Sequence, residues 1–465
     1  MATRKVLKIT PILIALNILV LLVIIGFYTF RLIKYYLIEN GNKYDENTFL
    51  VDVIKKKQSF LDDTKGLVLN EETGVFTYKG DVDDNYVSYS GLLYRILNID
   101  KNGNIKLVSE NNVTILYPNI KDGYEKSSIN KWLNVSDEQY SGVFENTLVN
   151  ADSLITNTSL CNDVIDDLSD ITCDEVLDSY KISLLSLYDY KMSGGKDGFL
   201  NNGDIFFLAT LNGDNAQYYV TDEGEIAINE KETKVITVKP VITLSSTDFY
   251  KSGKGTKENP YIIEKHDVNT LADVYVNNII KINDANYKVL EIQDDKVKLA
   301  SVEAIKKDGE DYKTIFGKSD SAYITKTTVG KYLNNTFLNS LDVKDYVVNS
   351  NYYTGTLSLT NYDYTVARSS SVKAKVGMLT IGDMFLQETP NTFTLLRGME
   401  APDIINVINE SGNIFADYIS AKYSVRPAFY LKDDLEIVSG EGTMDDPNEL
   451  GVEDDKTESS EKTEG

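Results

Sequence analysis

Histidine is almost missing from this chain: His266 is the only one in 465 residues, beside two cysteines, eight prolines and one tryptophan. A Ser-His-Asp relay or a Cys/His zinc site needs more partners than these residues supply, so His266 reads as a solvated residue of a connector. Cationic clusters are also wanting. The formal net charge is −24, and neutralising phosphates takes grouped Lys and Arg, which argues against a nucleic-acid surface. No Walker loop and no Gly-x-Gly-x-x-Gly follows an expected strand, so no cofactor is expected. No motif singles out a carboxylate pair for glycoside cleavage among the 71 acids.

What is present favours strands. There are 31 Tyr and 16 Phe, residues suited to a pleated, half-buried surface. The length leaves room for two or three domains with cores of their own.

From Ile9 to Phe30 the chain runs 22 residues without a charge. At about 1.5 Å per residue this crosses a hydrocarbon layer of roughly 30 Å. Arg4, Lys5 and Lys8 precede it, so residues 1–8 are expected to stay cytoplasmic and the rest to be exported through one uncleaved anchor over 9–30. A cleaved signal peptide fits less well, because the run is long and no Ala-x-Ala site follows. Phe49, Leu50, Val53, Ile54, Phe60 and Leu61 then recur at helical spacing up to Gly66. They predict a helix in a stalk over 31–80, free to meet a partner helix in a homo-oligomer or to pack on the following domain.

The rest of the chain repeats. Counted from Pro240 and from Pro427, Leu falls at plus 4 (Leu244, Leu431), glycines at plus 13 and plus 15, and a second Pro at plus 20. Lys131-Trp-Leu-Asn134 answers Lys331-Tyr-Leu-Asn334, and Lys181 to Tyr190 answers Lys375 to Met384, with Asp189 matching Asp383. Phe206-Phe-Leu208 answers Phe393-Thr-Leu395, and the turns at Gly224 and Gly412 align. Two copies at so long a period mean tandem domains and not a solenoid. The expected layout is a first domain over 81–265, a connector over 266–275, a second domain over 276–438 and a disordered acidic tail over 439–465, where ten acids face two bases. Each domain opens with alternating strands, 86–89, 92–99 and 105–108 in the first and 279–282, 287–292 and 297–300 in the second.

Cys161 and Cys173 flank an acidic stretch; they either form one disulfide, which an oxidising exterior permits, or stand as two buried thiols. Asn98-x-Asp100-x-Asn102-Gly103 begins like a calcium loop, but position 12 is Ser109. An Asn-Gly hairpin turn is the better reading, and no metal is expected. Binding is expected in the loops where the copies diverge. Asp214, Asn215, Tyr218, Tyr219, Arg397 and Glu400 are the candidate ligand-binding residues, with Tyr352, Tyr353, Tyr362 and Tyr364 as further stacking faces. The alternative is that these tyrosines are ordinary strand residues with one face buried.

The Trp-Leu-Asn landmark, Asn201-Asn-Gly-Asp-Ile-Phe-Phe207, the Val-Lys/Arg-Pro strands and Gly255-Thr-Lys-Glu-Asn-Pro-Tyr261 together resemble an uncharacterised domain. It occurs in exported proteins of low-GC Gram-positive bacteria, often beside a single membrane anchor. The resemblance covers residues 84–263 well and 276–450 weakly. Ser424-Val-Arg-Pro427 is also similar to the last strand of the C-type-lectin-like and formylglycine-generating-enzyme folds. That resemblance implies a mixed α+β domain whose terminal strands pair and whose long loops carry the ligand site. The cysteine pair of the enzymes and the Glu-Pro-Asn and Trp-Asn-Asp calcium motifs of the lectins do not occur here, so neither chemistry carries over. The sequence therefore predicts a single-pass bacterial surface protein with two α+β ectodomains that bind a glycan, an envelope polymer or a protein without catalysis. An assembly scaffold of the envelope is the alternative, and an exported hydrolase the third.

Overall fold

The computed structural model describes residues 47–59, 62–113, 120–136, 142–229, 237–263, 268–293, 295–317, 327–353, 356–358, 363–365, 371–380, 394–395, 403–408 and 414–452, with positions 20, 21, 29, 323 and 383. Two compact units result, Met1–Thr48 and Phe49–Gly465. In the first, Val20, Leu21 and Thr29 are helical and exposed; the remainder of the anchor expected over 9–30 lies outside the described residues. Among the described residues no helix is long and apolar enough to cross a membrane.

The second unit is mostly β-sheet with few helices. It begins with a short helix, α1 (Leu50–Lys55), and a hairpin of β1 (Gly66–Asn70) and β2 (Val75–Lys79). Of the two roles open to the helix expected in the stalk, it takes the second, packing on the following domain. Leu50, Val51, Val53 and Ile54 are buried, the Leu50 amide donates to the Asp248 carbonyl at 2.8 Å, and the Phe49 and Phe249 rings stack at 5.1 Å. The apolar stripe thus finds a core within its own chain. Asp248 is buried there, and one of its carboxyl oxygens has no hydrogen-bond partner. Burial pushes its pKa up to about 7.

The first sheet is built from β3 (Tyr86–Tyr89), β4 (Leu92–Ile99), β5 (Ile105–Ser109), β6 (Ile155–Thr156), β7 (Ile182–Leu184), β8 (Pro240–Leu244) and β9 (Tyr261–Ile262). β2 extends it by pairing with β4. Asp100 to Asn104 is the hairpin turn between β4 and β5, the Asp100 carboxylate accepting the amides of Asn102 and Asn104. β5 and β8 are buried at every position, as strands covered on both faces must be. Pro240 and Pro427 stand at the first position of their strands, where the missing N–H costs least.

A second sheet repeats the plan with β10 (Ile279–Ile282), β11 (Ala285–Gln293), β12 (Lys296–Ser301), β13 (Val347–Val348), β14 (Val376–Met378), β15 (Pro427–Lys432) and β16 (Asn448–Leu450). Registers agree pair by pair. Val241 faces Val108 where Ala428 faces Ala300; Pro240 faces Leu184 where Pro427 faces Met378; Leu244 faces Ile155 where Leu431 faces Val347. A bulge falls between Ile96 and Asn98 in one sheet and between Val289 and Glu291 in the other. In each sheet the last strand pairs in parallel with the first, β9 with β3 and β16 with β10.

Three side-chain devices also recur. Lys106 donates to both Asp189 carboxylate oxygens at 2.9 Å, and Lys298 to those of Asp383 at 2.7 and 2.8 Å. Asn134 exchanges two hydrogen bonds with the backbone of Ile182, and Asn334 does so with Val376. Ser127 caps the helix α2 (Ser128–Leu133), and Thr327 caps α3 (Thr328–Tyr332). Gly253 and Gly440, at φ of 99° and 92°, stand where an added Cβ would lie 1.8 Å from the Pro260 carbonyl and 2.1 Å from that of Pro447. No other residue fits at that distance.

Two more boundaries differ from expectation. Leu271 and Val274, placed in a connector, are buried in the second core, the Leu271 amide donating to the Leu435 carbonyl at 2.7 Å. Residues 437–450, the greater part of them placed in the acidic tail, form Ile437–Ser439 and β16, and Asn448 is buried. The acidic run that remains, from 453, lies outside the described residues, as does His266.

Candidate functional site

Asn134 ends α2 in extended backbone, φ −113° and ψ 141°, with its side-chain amide bonded to the backbone of Ile182 in β7. The chain leaves the sheet there and returns at β6. In between, residues 142–154 and the approach to β7 enclose a cleft of about 950 Å³ lined by Asn134, Val135, Glu145, Asn146, Leu148, Asn150 to Ser153, Asn157 and Ser179 to Lys181. Asn150 is left-handed at φ 55°, a conformation Asn tolerates better than most residues, and it starts the single helical turn Ala151–Leu154 with its carbonyl.

The ionic centre of the cleft is Lys181. Its ammonium lies 3.1 Å from Glu145 and hydrogen-bonds Asp152. The Asp152 contact, aided by Glu145, raises the lysine pKa against the opposing effect of burial, and the same lysine holds the Asp152 carboxyl below the usual range. Glu145 gives its second oxygen to the Val135 amide at 2.7 Å. Around this triad stand the exposed side chains of Asn146, Asn150, Asn157 and Ser179, with no hydrogen bond among the described residues. Tyr180 lies half-buried at one wall, edge-on to the buried Tyr124 ring at 5.8 Å. The arrangement offers neutral donors and acceptors beside an aromatic ring, with the one cation already neutralised.

The sequence-based candidates lie elsewhere. Asp214 and Asn215 are exposed in the turn from Asn212 to Ala216, where Asn212 accepts the amides of Asp214 and Ala216. Tyr218 and Tyr219 are corrected as stacking faces. Both are buried; the Tyr218 hydroxyl donates to the Ile165 carbonyl at 2.8 Å, and the Tyr219 ring meets Phe207 edge-on at 6.4 Å. Tyr352 is buried as well, its hydroxyl on the Lys375 carbonyl. Arg397, Glu400 and Tyr362 lie outside the described residues, and so do the side chains of Tyr353 and Tyr364.

What covers Tyr218 is the cysteine loop. Cys161 and Cys173 are bonded, Leu160–Cys161 pairs with Val176–Leu177, and the enclosed segment lies on the turn that holds Asp214. The Ile165 amide donates to Leu211, and Asp166 accepts the Gly213 amide at 2.7 Å. Among the described residues no group of three His, Cys, Asp or Glu side chains is disposed to hold a metal ion.

Sequence reasoning passed over Asn146, Asn150, Asn157, Ser179 and Tyr180. Their signal was a difference in length: 21 positions separate Asn134 from β6, against 13 between Asn334 and β13. Comparison of the chain with protein-family models, with curated proteins and with solved structures finds no match.

Proposed function

We propose that this is a single-pass bacterial envelope protein, N-terminus cytoplasmic and the remainder outside, in which a duplicated α+β module binds a surface ligand without catalysis. The cleft between Asn134 and Lys181 carries the reading. It is large enough for a few sugar rings or a short peptide, and its uncommitted side chains are neutral. Duplication is supported by the matched registers, bulges, ion pairs and asparagine clamps of the two sheets. Pairing of the end strands in both sheets is in keeping with the resemblance to C-type-lectin-like domains.

The carboxylates of the cleft favour binding over hydrolysis. A glycosidase needs one carboxyl kept protonated near neutral pH, whereas Asp152 is pulled the other way by Lys181, and Glu145 is engaged by Lys181 and the Val135 amide. An assembly scaffold is the competing reading; against it, the stripe expected to join copies at a stalk is buried on the first sheet. The test is retention of the full chain on isolated cell envelopes. Ser179→Trp, at an exposed position lining the cleft, fills the cleft and is expected to abolish retention. Undiminished retention of that variant rules the cleft out.

A further inference from the structure

Building on that reading of the cleft, we infer that its ligand is an uncharged or amine-bearing glycan and that the first repeat alone takes it. The asymmetry begins at the clamping asparagines. After Asn134 the chain turns extended, and Val135 is 56% exposed. After Asn334 it stays helical, through a wide turn over Leu333–Phe337 and a tight one over Leu338–Ser340. Phe337 is thereby buried, its ring 6.3 Å from that of Phe429. The second repeat fills with its own helix the space beyond its clamp. The first, with eight more positions before its next paired strand, leaves that space open and lines it with Asn146 and Asn150.

Charge selects the ligand. Among the described residues Lys181 is the only cation lining the cleft, and two carboxylates share it, so none of these residues remains to receive a phosphate or a carboxylate. An anionic polymer would meet a surplus negative charge and an unmatched desolvation cost. A ligand amine meets the reverse, since the Asp152 side chain is 97% exposed and can accept a second cation. The exposed side-chain amides of Asn146, Asn150 and Asn157 each present a donor and an acceptor, which vicinal hydroxyls need together. Tyr180 offers part of a ring to the apolar face of a sugar.

The experiment titrates the detergent-solubilised full chain with N-acetylglucosamine oligomers, glucosamine oligomers and a glycerol-phosphate polymer, and measures capture on whole cell-wall material. Asn146→Ala with Asn157→Ala changes two exposed side chains, and circular dichroism checks its fold. Asn339→Ala, exposed in the second repeat, is the control. The expected result is saturable binding of at least one sugar series, weakened about tenfold or more by the double variant, unchanged by Asn339→Ala and not competed by the phosphate polymer. The inference is overturned, with the cleft reading intact, if wall capture falls in the double variant but is competed by the phosphate polymer and by neither sugar series. Equal losses from Asn339→Ala overturn the assignment to one repeat. Capture indifferent to both variants removes the cleft reading itself, and this inference with it.

Discussion

Replacing Lys106 by Met removes the cation from Asp189 while keeping most of the side chain's volume. Both residues are buried, and the stranded carboxylate retains the Ser186 hydroxyl at 2.7 Å and the Ser186 amide at 3.4 Å. Breaking a buried ion pair from one side costs about 3–5 kcal/mol; the remaining cap places the expectation near the lower figure. With a urea slope of about 2 kcal/mol per M for a domain of this size, the midpoint falls by about 1.5 M. Trp132 is the only tryptophan and is fully buried in the first half, so its fluorescence follows that half alone. Lys298→Met breaks the equivalent pair and is expected to lower a transition seen by far-ultraviolet circular dichroism while leaving that of Trp132 in place. Lys106→Met combined with Asp189→Leu should recover most of the loss, because no charge is left stranded. A midpoint change below about 0.3 M for Lys106→Met, or an equal shift of the Trp132 transition by Lys298→Met, refutes the reasoning. The first outcome would mean the pair is not buried as described, and the second that the halves do not unfold separately.

Asp248 governs a pH dependence. Its pKa in the folded chain, about 7, lies above the unfolded value of about 4, so the stability it permits is fully present below pH 4 and is lost as pH rises through 7. Asp248→Asn should flatten thermal stability between pH 5 and pH 8 and raise it at pH 8 by about 1–2 kcal/mol, after allowance for solvent screening; an unchanged pH profile rejects this. Changing both Cys161 and Cys173 to Ser removes a cross-link over a short loop and is expected to cost about 2–3 kcal/mol. The same change should expose Tyr218, which ultraviolet difference spectra or protease cutting near Ile165 would detect, and full protection of Tyr218 would contradict the covering role of the loop. Asn134→Ala removes both hydrogen bonds to Ile182 and should lower the Trp132 transition by about 2 kcal/mol; a loss below half of that would mean water replaces the clamp.

The comparison of the two sheets explains which features a reader of the sequence alone can reach. Pro240 and Pro427, the glycines at 253 and 440, and the pairs Asn134/Asn334 and Asp189/Asp383 are legible because each is demanded by backbone geometry or by one buried partner. Under the duplication proposed above, a second copy keeps it at matching spacing. The bulge, the parallel closing strand and the lysine that answers each aspartate leave no such local trace; Lys106 is one lysine among many until β5 is laid against Asp189.

The amino-acid sequence by itself determined the strand-rich composition, the repeated landmarks and their order, since alternation, turn residues and spacing are properties of the chain read locally. Only the tertiary structure decided where apolar surface would be buried and where it would not. It buried Leu50 to Ile54 in the core, covered Tyr218 with a loop from about fifty residues earlier, and opened a cleft where the helix that ends at Asn134 stops and its counterpart beside the second sheet continues through Phe337. Burial is a property of what comes to lie opposite a side chain, and for these residues that partner is distant in sequence.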